Sequence, residues 1–113
     1  MPRHVSAADL RAVITIQRNE PADNTLGEPE ANWVNHLTCF ADAQPLRGRE
    51  FFAAGQTQVQ SDVRFVIRWH GGINETMRVL WNGQPHGINA VIDVGGAQRT
   101  LELMCARGVQ DGR

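Results

Sequence analysis

Four histidines and two cysteines are the side chains of this sequence that could bind a metal ion. His36 and Cys39 form the one close pair, but residues three apart on a strand point to opposite faces of a sheet. His4, His70 and His86 have no partner at a known ligand spacing. The sequence therefore predicts no metal and no cofactor, and these three histidines are expected to be polar surface or turn residues.

Catalysis by a nucleophile would require a serine, threonine or cysteine held beside a base. The serines, Ser6 and Ser61, lie at the edges of predicted elements and not in a glycine-flanked turn between a strand and a helix. Gly71 and Gly72 connect two predicted strands, so they do not form a phosphate-binding loop that opens a helix. The carboxylates are scattered over loops and outward strand positions. We therefore expect a protein that is not an enzyme.

Nucleic-acid binding is a further chemistry to consider, because small β-barrels can bind single strands through a basic groove with exposed aromatic rings. All eleven cationic side chains are arginines, and the net charge of -1 excludes a strongly basic binder. Arg64, Arg68 and Arg78 could form a cationic stripe, although ion pairs with Glu75 or Glu102 would explain them equally well. A module that binds single-stranded nucleic acid or a ligand is thus an alternative.

Cys39 and Cys105 are far apart in sequence and fall on apolar strand positions, so we expect buried free thiols. The N-terminal residues lack the apolar core of a signal peptide, and no segment has the roughly 18 consecutive apolar residues of a membrane span. These features predict a protein that is made in a cytoplasm and does not contact a membrane.

Alternation of apolar and polar residues predicts the elements that position these side chains. The first strand covers residues 12–18, and the second covers Trp33–Ala43 and ends at Pro45, because proline cannot donate to a sheet ladder. Four more strands follow at hairpin spacing in the second half, with turns such as Asn82-Gly83 between them. The residues expected to fill the core are Ile14, Ile16, Trp33, Phe65, Ile67, Trp69, Met77, Val79, Ile88, Ile92, Leu101 and Leu103.

Two segments between the strands have a different character. Residues 19–32 contain four acids and no cation, which predicts a long, solvated and mobile loop. Residues 47–60 place Phe51, Gly55 and Val59 at helical spacing, which predicts one short α-helix. The whole pattern predicts a single all-β domain over residues 1–113: a small six-stranded antiparallel β-barrel or sandwich with one short α-helix and a long mobile loop.

Several short motifs, in this order and spacing, resemble the head-tail joining proteins of tailed bacteriophages, which are the head-closure and head-tail adaptor proteins. One departure concerns His86, where the family commonly has an aromatic residue, often tyrosine. The matching motifs are Ile16-Gln-Arg18, Trp33 after an acidic loop, Arg47-Gly-Arg-Glu50, Val63-Arg-Phe-Val-Ile-Arg-Trp69, Gly72-Ile73, Met77-Arg-Val79, Gly87-Ile-Asn-Ala-Val-Ile-Asp93 and Arg99-Thr-Leu-Glu-Leu-Met-Cys105.

The resemblance implies an assembly protein without catalytic residues. Copies would form a ring at the phage neck, beneath the portal or a head-tail adaptor protein, and a tail-completion or terminator protein would dock below. The ring would retain packaged double-stranded DNA, which passes through its lumen without sequence-specific contacts. The protein would be in the host bacterial cytoplasm during assembly and then in the virion neck. Another ring protein of the same neck, such as a tail-completion protein, is the nearest alternative.

We expect the interface with neighbouring proteins to use the acidic loop and the segment of residues 47–60. Both combine charged side chains with few residues that could be buried, so they could order on contact with a partner. The residues expected to take part are Asp23, Glu28, Glu30, Arg47, Arg49, Glu50 and Gln56.

Overall fold

The computed structural model of the protein describes residues 10–46 and 61–108. The predicted helix of residues 47–60 lies outside the described residues. Within the described residues, eight β-strands occur, together with a short 3-10 turn at Val94–Gly96. The strands are β1 (Ala12–Asn19), β2 (Ala22–Asp23), β3 (Pro29–Glu30), β4 (Trp33–Pro45), β5 (Val63–Arg68), β6 (Arg78–Trp81), β7 (Gln84–Asp93) and β8 (Thr100–Arg107).

Six of these strands close into a barrel in the order β1-β4-β5-β8-β7-β6, and every neighbouring pair is antiparallel. The predicted all-β fold with a six-stranded antiparallel barrel is confirmed. Asn82 and Gly83 join β6 to β7 with φ angles of 52° and 74°. Both residues are therefore in the left-handed conformation that a tight type I′ hairpin turn requires.

The barrel interior is filled by apolar side chains that alternate with outward residues along each strand. Phe65 lies at its centre and is fully buried, with its ring edge-to-face against Trp81 at a centroid distance of 5.4 Å. The other residues expected in the core that are buried there are Ile14, Ile16, Ile67, Met77, Val79, Ile88, Leu101 and Leu103.

Ile92 was expected in the core, but the structure places it on the outer wall. The register of β7 on β8 shifts by one residue at Asn89, which is a β-bulge. An extra residue reverses the inward and outward alternation for the rest of the strand. Val91 therefore pairs with Leu103 and packs on the core, whereas Ile92 pairs with Glu102. Alternation alone cannot reveal this bulge.

Trp33 and Trp69 were also expected in the core, and both lie at its margin instead. Trp33 begins β4, and its half-buried ring lies under the guanidinium of Arg78, 4.4 Å from the ring centroid. Trp69 follows the end of β5, is 37% exposed and covers Gly71. Each residue is at a strand end, where the barrel no longer encloses the side chain.

Residues 19–32, predicted as a loop, form a β-hairpin in which β2 pairs with β3. The backbone N–H of Glu20 donates to the carbonyl oxygen of Asn32 at 2.8 Å, which continues the β1–β4 ladder beyond the barrel. Apart from half-buried Asn19 and Asn24, these residues are exposed, as expected for a solvated segment. We call residues 20–32 the acidic hairpin.

Both cysteines are free thiols, and Cys105 is fully buried. Burial raises the pKa of the Cys105 thiol far above its ordinary value of 9.0, because a thiolate would lose its hydration inside the barrel. The folded protein therefore keeps a proton that the unfolded chain releases above about pH 9. This contribution to stability is complete below that pH and declines as the pH rises further.

We expect Cys105 to resist an aromatic disulfide reagent at pH 8 in the folded protein and to react once guanidinium unfolds the chain. The measurement uses a Cys39→Ser variant, so that one thiol is present. The same variant should lose stability between pH 8 and pH 10 relative to its Cys105→Ala derivative. Fast labelling without denaturant would show that the barrel opens at this strand.

Candidate interaction surfaces

The two ends of the barrel carry different surfaces. The acidic hairpin leaves one end, where β1 ends and β4 begins, and the connections of residues 69–77 and 94–99 lie there too. β4 ends and β5 begins at the opposite end, together with the β6–β7 turn and the end of β8. We call these the hairpin end and the cleft end.

The turn of the acidic hairpin is built by one side chain, Asn24. Its Oδ1 accepts hydrogen bonds from the backbone N–H groups of Leu26, at 2.8 Å, and Glu28, at 3.0 Å. Its backbone N–H donates to the carbonyl oxygen of Glu28, and the N–H of Gly27 donates to the carbonyl oxygen of Asn24. Asparagine side chains stabilise turns in this way, so the tip has a defined shape before any partner binds.

The surface of the hairpin is acidic with an apolar tip. Asp23, Glu28 and Glu30 are exposed, and the hairpin contains no cation. Leu26 is 81% exposed, the largest exposure among the large apolar side chains of the described residues. The fourth acid, Glu20, lies at the base of the hairpin and accepts a 2.6 Å hydrogen bond from Nε of Arg18.

A polar network anchors the base of the hairpin to the barrel. A register shift between Ile16 and Gln17 turns Gln17 into a largely buried position. Nε of Arg78 donates to Oε1 of Gln17 at 2.8 Å, and Nε2 of Gln17 donates to Oδ1 of Asn35 at 3.0 Å. Desolvation lowers the pKa of Arg78 from its ordinary value. These bonds join β6, β1 and β4 directly below the hairpin.

An apolar cleft of about 410 Å³ opens at the cleft end of the barrel. Two of its side chains, Trp81 and His86, pack edge-to-face against Phe65. Arg107 supplies a cation, and Asp62 supplies a carboxylate whose Oδ2 accepts the backbone N–H of Arg107 at 2.8 Å. The residues that line the cleft are Pro45, Asp62, Val63, Trp81, His86 and Arg107.

His86 was expected to be a surface or turn residue, but it is buried, with 4% exposure. Its ring lies 5.7 Å from Phe65 and 5.9 Å from Trp81, measured between centroids. Nδ1 donates to the carbonyl oxygen of Gln84 at 3.0 Å, which satisfies one polar atom of the ring. His86 therefore fills an aromatic packing position against Phe65 and Trp81 rather than a surface position.

The three arginines considered for a cationic stripe have different environments. Arg64 lies on the outer wall, where Nη1 donates to Oε1 of Gln44 at 2.9 Å and Nε lies 3.9 Å from Glu102. That distance makes an ion pair without a hydrogen bond, and Nε has no hydrogen-bond partner. Arg78 is used by the network below the hairpin. Arg68 alone among the three is exposed.

The structure brings together part of the expected interface. Asp23, Glu28 and Glu30 all lie on the acidic hairpin, whereas Arg47, Arg49, Glu50 and Gln56 lie outside the described residues. The cleft was not expected from the sequence, because its lining comes from strands distant along the chain. Within residues 10–46 and 61–108, no three His, Cys, Asp or Glu side chains gather as metal ligands, and no helix is long and apolar enough to cross a membrane.

Two sequence comparisons with known proteins match the same family. A sequence profile of the family described as phage head completion protein matches residues 5–108. Head completion protein gp16 of Bacillus phage SPP1 is 29% identical over 101 residues, covering 88% of this chain and 90% of gp16. The solution structure of protein SF1141 from Shigella flexneri 2a is 26% identical, with a TM-score of 0.73, and the match covers 93% and 98% of the two chains.

A chain in the virion of a native gene transfer agent particle shares the fold, with 14% identity and a TM-score of 0.56. This match covers 96% of the present chain and 99% of the other. Both structural matches therefore extend over nearly the full length of each chain.

Proposed function

Because this chain belongs to the phage head completion protein family, we propose that it forms a ring at the neck of a tailed phage and joins the DNA-filled head to the tail. The family resemblance derived from the sequence motifs is confirmed, and with it a structural role in phage head assembly. The family is not known for enzymatic activity. The ring, its position in the neck and the retention of DNA are the proposed part.

The observation that carries the proposal is the combination of a closed barrel with an exposed hairpin. Every strand of the barrel has a hydrogen-bonded neighbour on both sides, so a closed barrel offers less free strand edge for association than an open sheet does. Side chains of the wall, the connections and the hairpin are therefore the surfaces most suited to association. The acidic hairpin presents charged side chains and Leu26 on a shape that Asn24 already defines, which lowers the entropic cost of binding.

The proposed neighbours follow from this arrangement. Asp23, Glu28 and Glu30 contact the portal or head-tail adaptor protein, a tail-completion or terminator protein, or the next copy in the ring. Arg47, Arg49, Glu50 and Gln56 are assigned to the interface from sequence alone. A net charge of -1 suits a ring through which double-stranded DNA passes, because the eleven cations are balanced by twelve acids and the ring has no net attraction for the phosphates.

The alternative of a single-strand-binding module finds less support. Such a site needs cations beside exposed aromatic rings, but Arg64 and Arg78 are engaged by protein groups. Phe40, the most exposed aromatic ring of the described residues, pairs with Val13 on the outer wall and not with an arginine. The arrangement therefore favours a role in assembly over binding of single strands.

Electron microscopy of lysates tests the proposal with a phage from which this gene has been deleted. We expect complete tails beside tailless heads, many of which have lost their DNA. A plasmid copy of the gene should restore joined virions, which controls for effects on neighbouring genes. Normal virions from the deleted phage would contradict the proposed function and favour the binding module.

A further inference from the structure

The cleft connects the side chains around Phe65 with solvent through a cavity of defined volume. Its 410 Å³ fall in the range of pockets that bind small molecules or side chains. Pro45, Val63 and Trp81 provide the apolar surface, and the buried ring of His86 forms part of the lining. Such a cleft fits an apolar side chain better than a charged one.

The tip of the acidic hairpin has matching properties. Leu26 is 81% exposed at the turn. The four hydrogen bonds between Asn24 and residues 26–28 hold the turn around it, so the leucine would enter a cleft without a further loss of backbone freedom. A lone exposed leucine is unremarkable by itself. Its relevance comes from the cleft that the same chain carries.

The cleft carries one cation that can pair with the acids of the hairpin, beside the carboxylate of Asp62. Arg107 lies at the cleft with an exposed side chain, and the carboxylate of Asp62 there already accepts the Arg107 backbone N–H. Asp23 and Glu28 flank the tip of the hairpin. When Leu26 occupies the cleft, at least one of these acids can approach the Arg107 guanidinium, which is geometrically suited to pair with a carboxylate.

The two features lie at opposite ends of the barrel, so the hairpin of one molecule cannot reach its own cleft. The cleft is lined by the end of β4 and the beginning of β5, whereas the hairpin leaves the barrel where β4 begins. A contact between them must join two copies. It would be a heterologous contact, with different surfaces on the two partners, and repetition of such a contact produces a closed ring when the rotation between neighbours closes on itself.

We propose that the cleft of each molecule binds the Leu26 tip of the acidic hairpin of a second copy. This docking rests on the proposed function, because it supplies the contact that repeats around the ring. Leu26 enters between Trp81 and Pro45, and Glu28 or Asp23 pairs with Arg107. The acidic hairpin is thus a contact between copies rather than a contact with the portal or the tail.

Disulfide cross-linking in assembled particles tests the docking. A Leu26→Cys/Pro45→Cys variant is supplied from a plasmid to the phage that lacks the gene, and purified particles are treated with a mild oxidant. We expect a ladder of covalent dimers, trimers and larger species on a non-reducing gel. Each single variant should give no ladder above the dimer, because a ladder requires two engineered thiols in every copy.

A Leu26→Cys/Thr38→Cys variant is the matched control, since Thr38 is exposed on the barrel wall and is not part of the cleft. The native Cys39 and Cys105 are present in every variant and therefore contribute equally. Joined particles in which the Pro45 variant gives no more ladder than the Thr38 variant would overturn the docking. That result leaves the proposed function intact, whereas normal virions without the gene overturn the function itself.

If the cysteine pair prevents assembly, charge-reversal variants of Glu28 and Arg107 test the docking instead. Glu28→Arg and Arg107→Glu are each expected to lower the yield of joined particles about tenfold or more, since like charges would meet at the contact. The double variant should recover most of the yield. Folding of each variant is checked by circular dichroism, and folded single variants without recovery in the double variant would contradict the docking.

Discussion

Replacing Phe65 with alanine is expected to lower the free energy of unfolding by about 4 kcal/mol. The ring is fully buried at the centre of the barrel and contacts the rings of Trp81 and His86 edge-to-face. Removing it deletes these contacts and leaves a cavity beneath the cleft. Domains of this size have a total stability of about 5–15 kcal/mol. The midpoint of thermal unfolding should fall by roughly 15 °C or more.

Phe40→Ala provides a matched control for this prediction. Phe40 is 60% exposed on the outer wall, where it pairs with Val13 of β1. The same substitution there removes little buried surface, so we expect a change within about 0.5 kcal/mol. Thermal and guanidinium unfolding, followed by circular dichroism, measure both variants. Equal losses of stability at the two positions would contradict the division between core and wall.

The bulge in β7 leads to a second large expected effect. Val91→Lys should destabilise the protein by roughly 3 kcal/mol, because the side chain points toward the core opposite Leu103 and its ammonium group would have no partner. Ile92→Lys should have almost no effect, because the new side chain would point outward beside Glu102. Unfolding by urea gives the free energy of unfolding of each variant. The dependence of this free energy on urea concentration (the m value) should be the same in both variants.

The pair of variants tests the bulge directly, since the two positions are adjacent and carry similar apolar side chains. Uninterrupted alternation from Ile88 would place Ile92 inside and Val91 outside, so the larger effect would then belong to Ile92→Lys. A larger loss for Ile92→Lys would therefore show that the strand lacks the bulge. The chain length and net charge of the two variants are identical, which leaves side-chain direction as the difference between them.

The sequence predicted the parts of the fold that depend on local pattern. Alternation from Val63 to Ile67 and from Leu101 to Cys105 identified two central strands, because each inward position is apolar and no bulge interrupts them. Asn82-Gly83 identified its turn because few residue pairs adopt two positive φ angles. The phage resemblance came from the order of such pieces along the chain.

The errors have a common physical origin. Ile92 and His86 could not be placed correctly, because their environments depend on the shift at Asn89 and on which strands meet around Phe65. Acidic composition predicted a loop for residues 19–32, but the pairing of β2 with β3 and the hydrogen bonds of the Asn24 side chain make it a β-hairpin. The predictions relied on the alternation of apolar and polar residues along the sequence. Neither a β-bulge nor a turn held by a side chain is visible in that alternation.

By itself the sequence determined the strand-rich composition, the positions of most inward residues and the family. Each of these depends on neighbours along the chain, and local alternation and turn chemistry are sufficient to define them. Tertiary structure alone decided the closure of the barrel, the cleft between Pro45 and Arg107, and its position opposite the acidic hairpin. These features join residues more than sixty positions apart, such as Thr15 and Leu80, and their contacts exist only after the strands have paired.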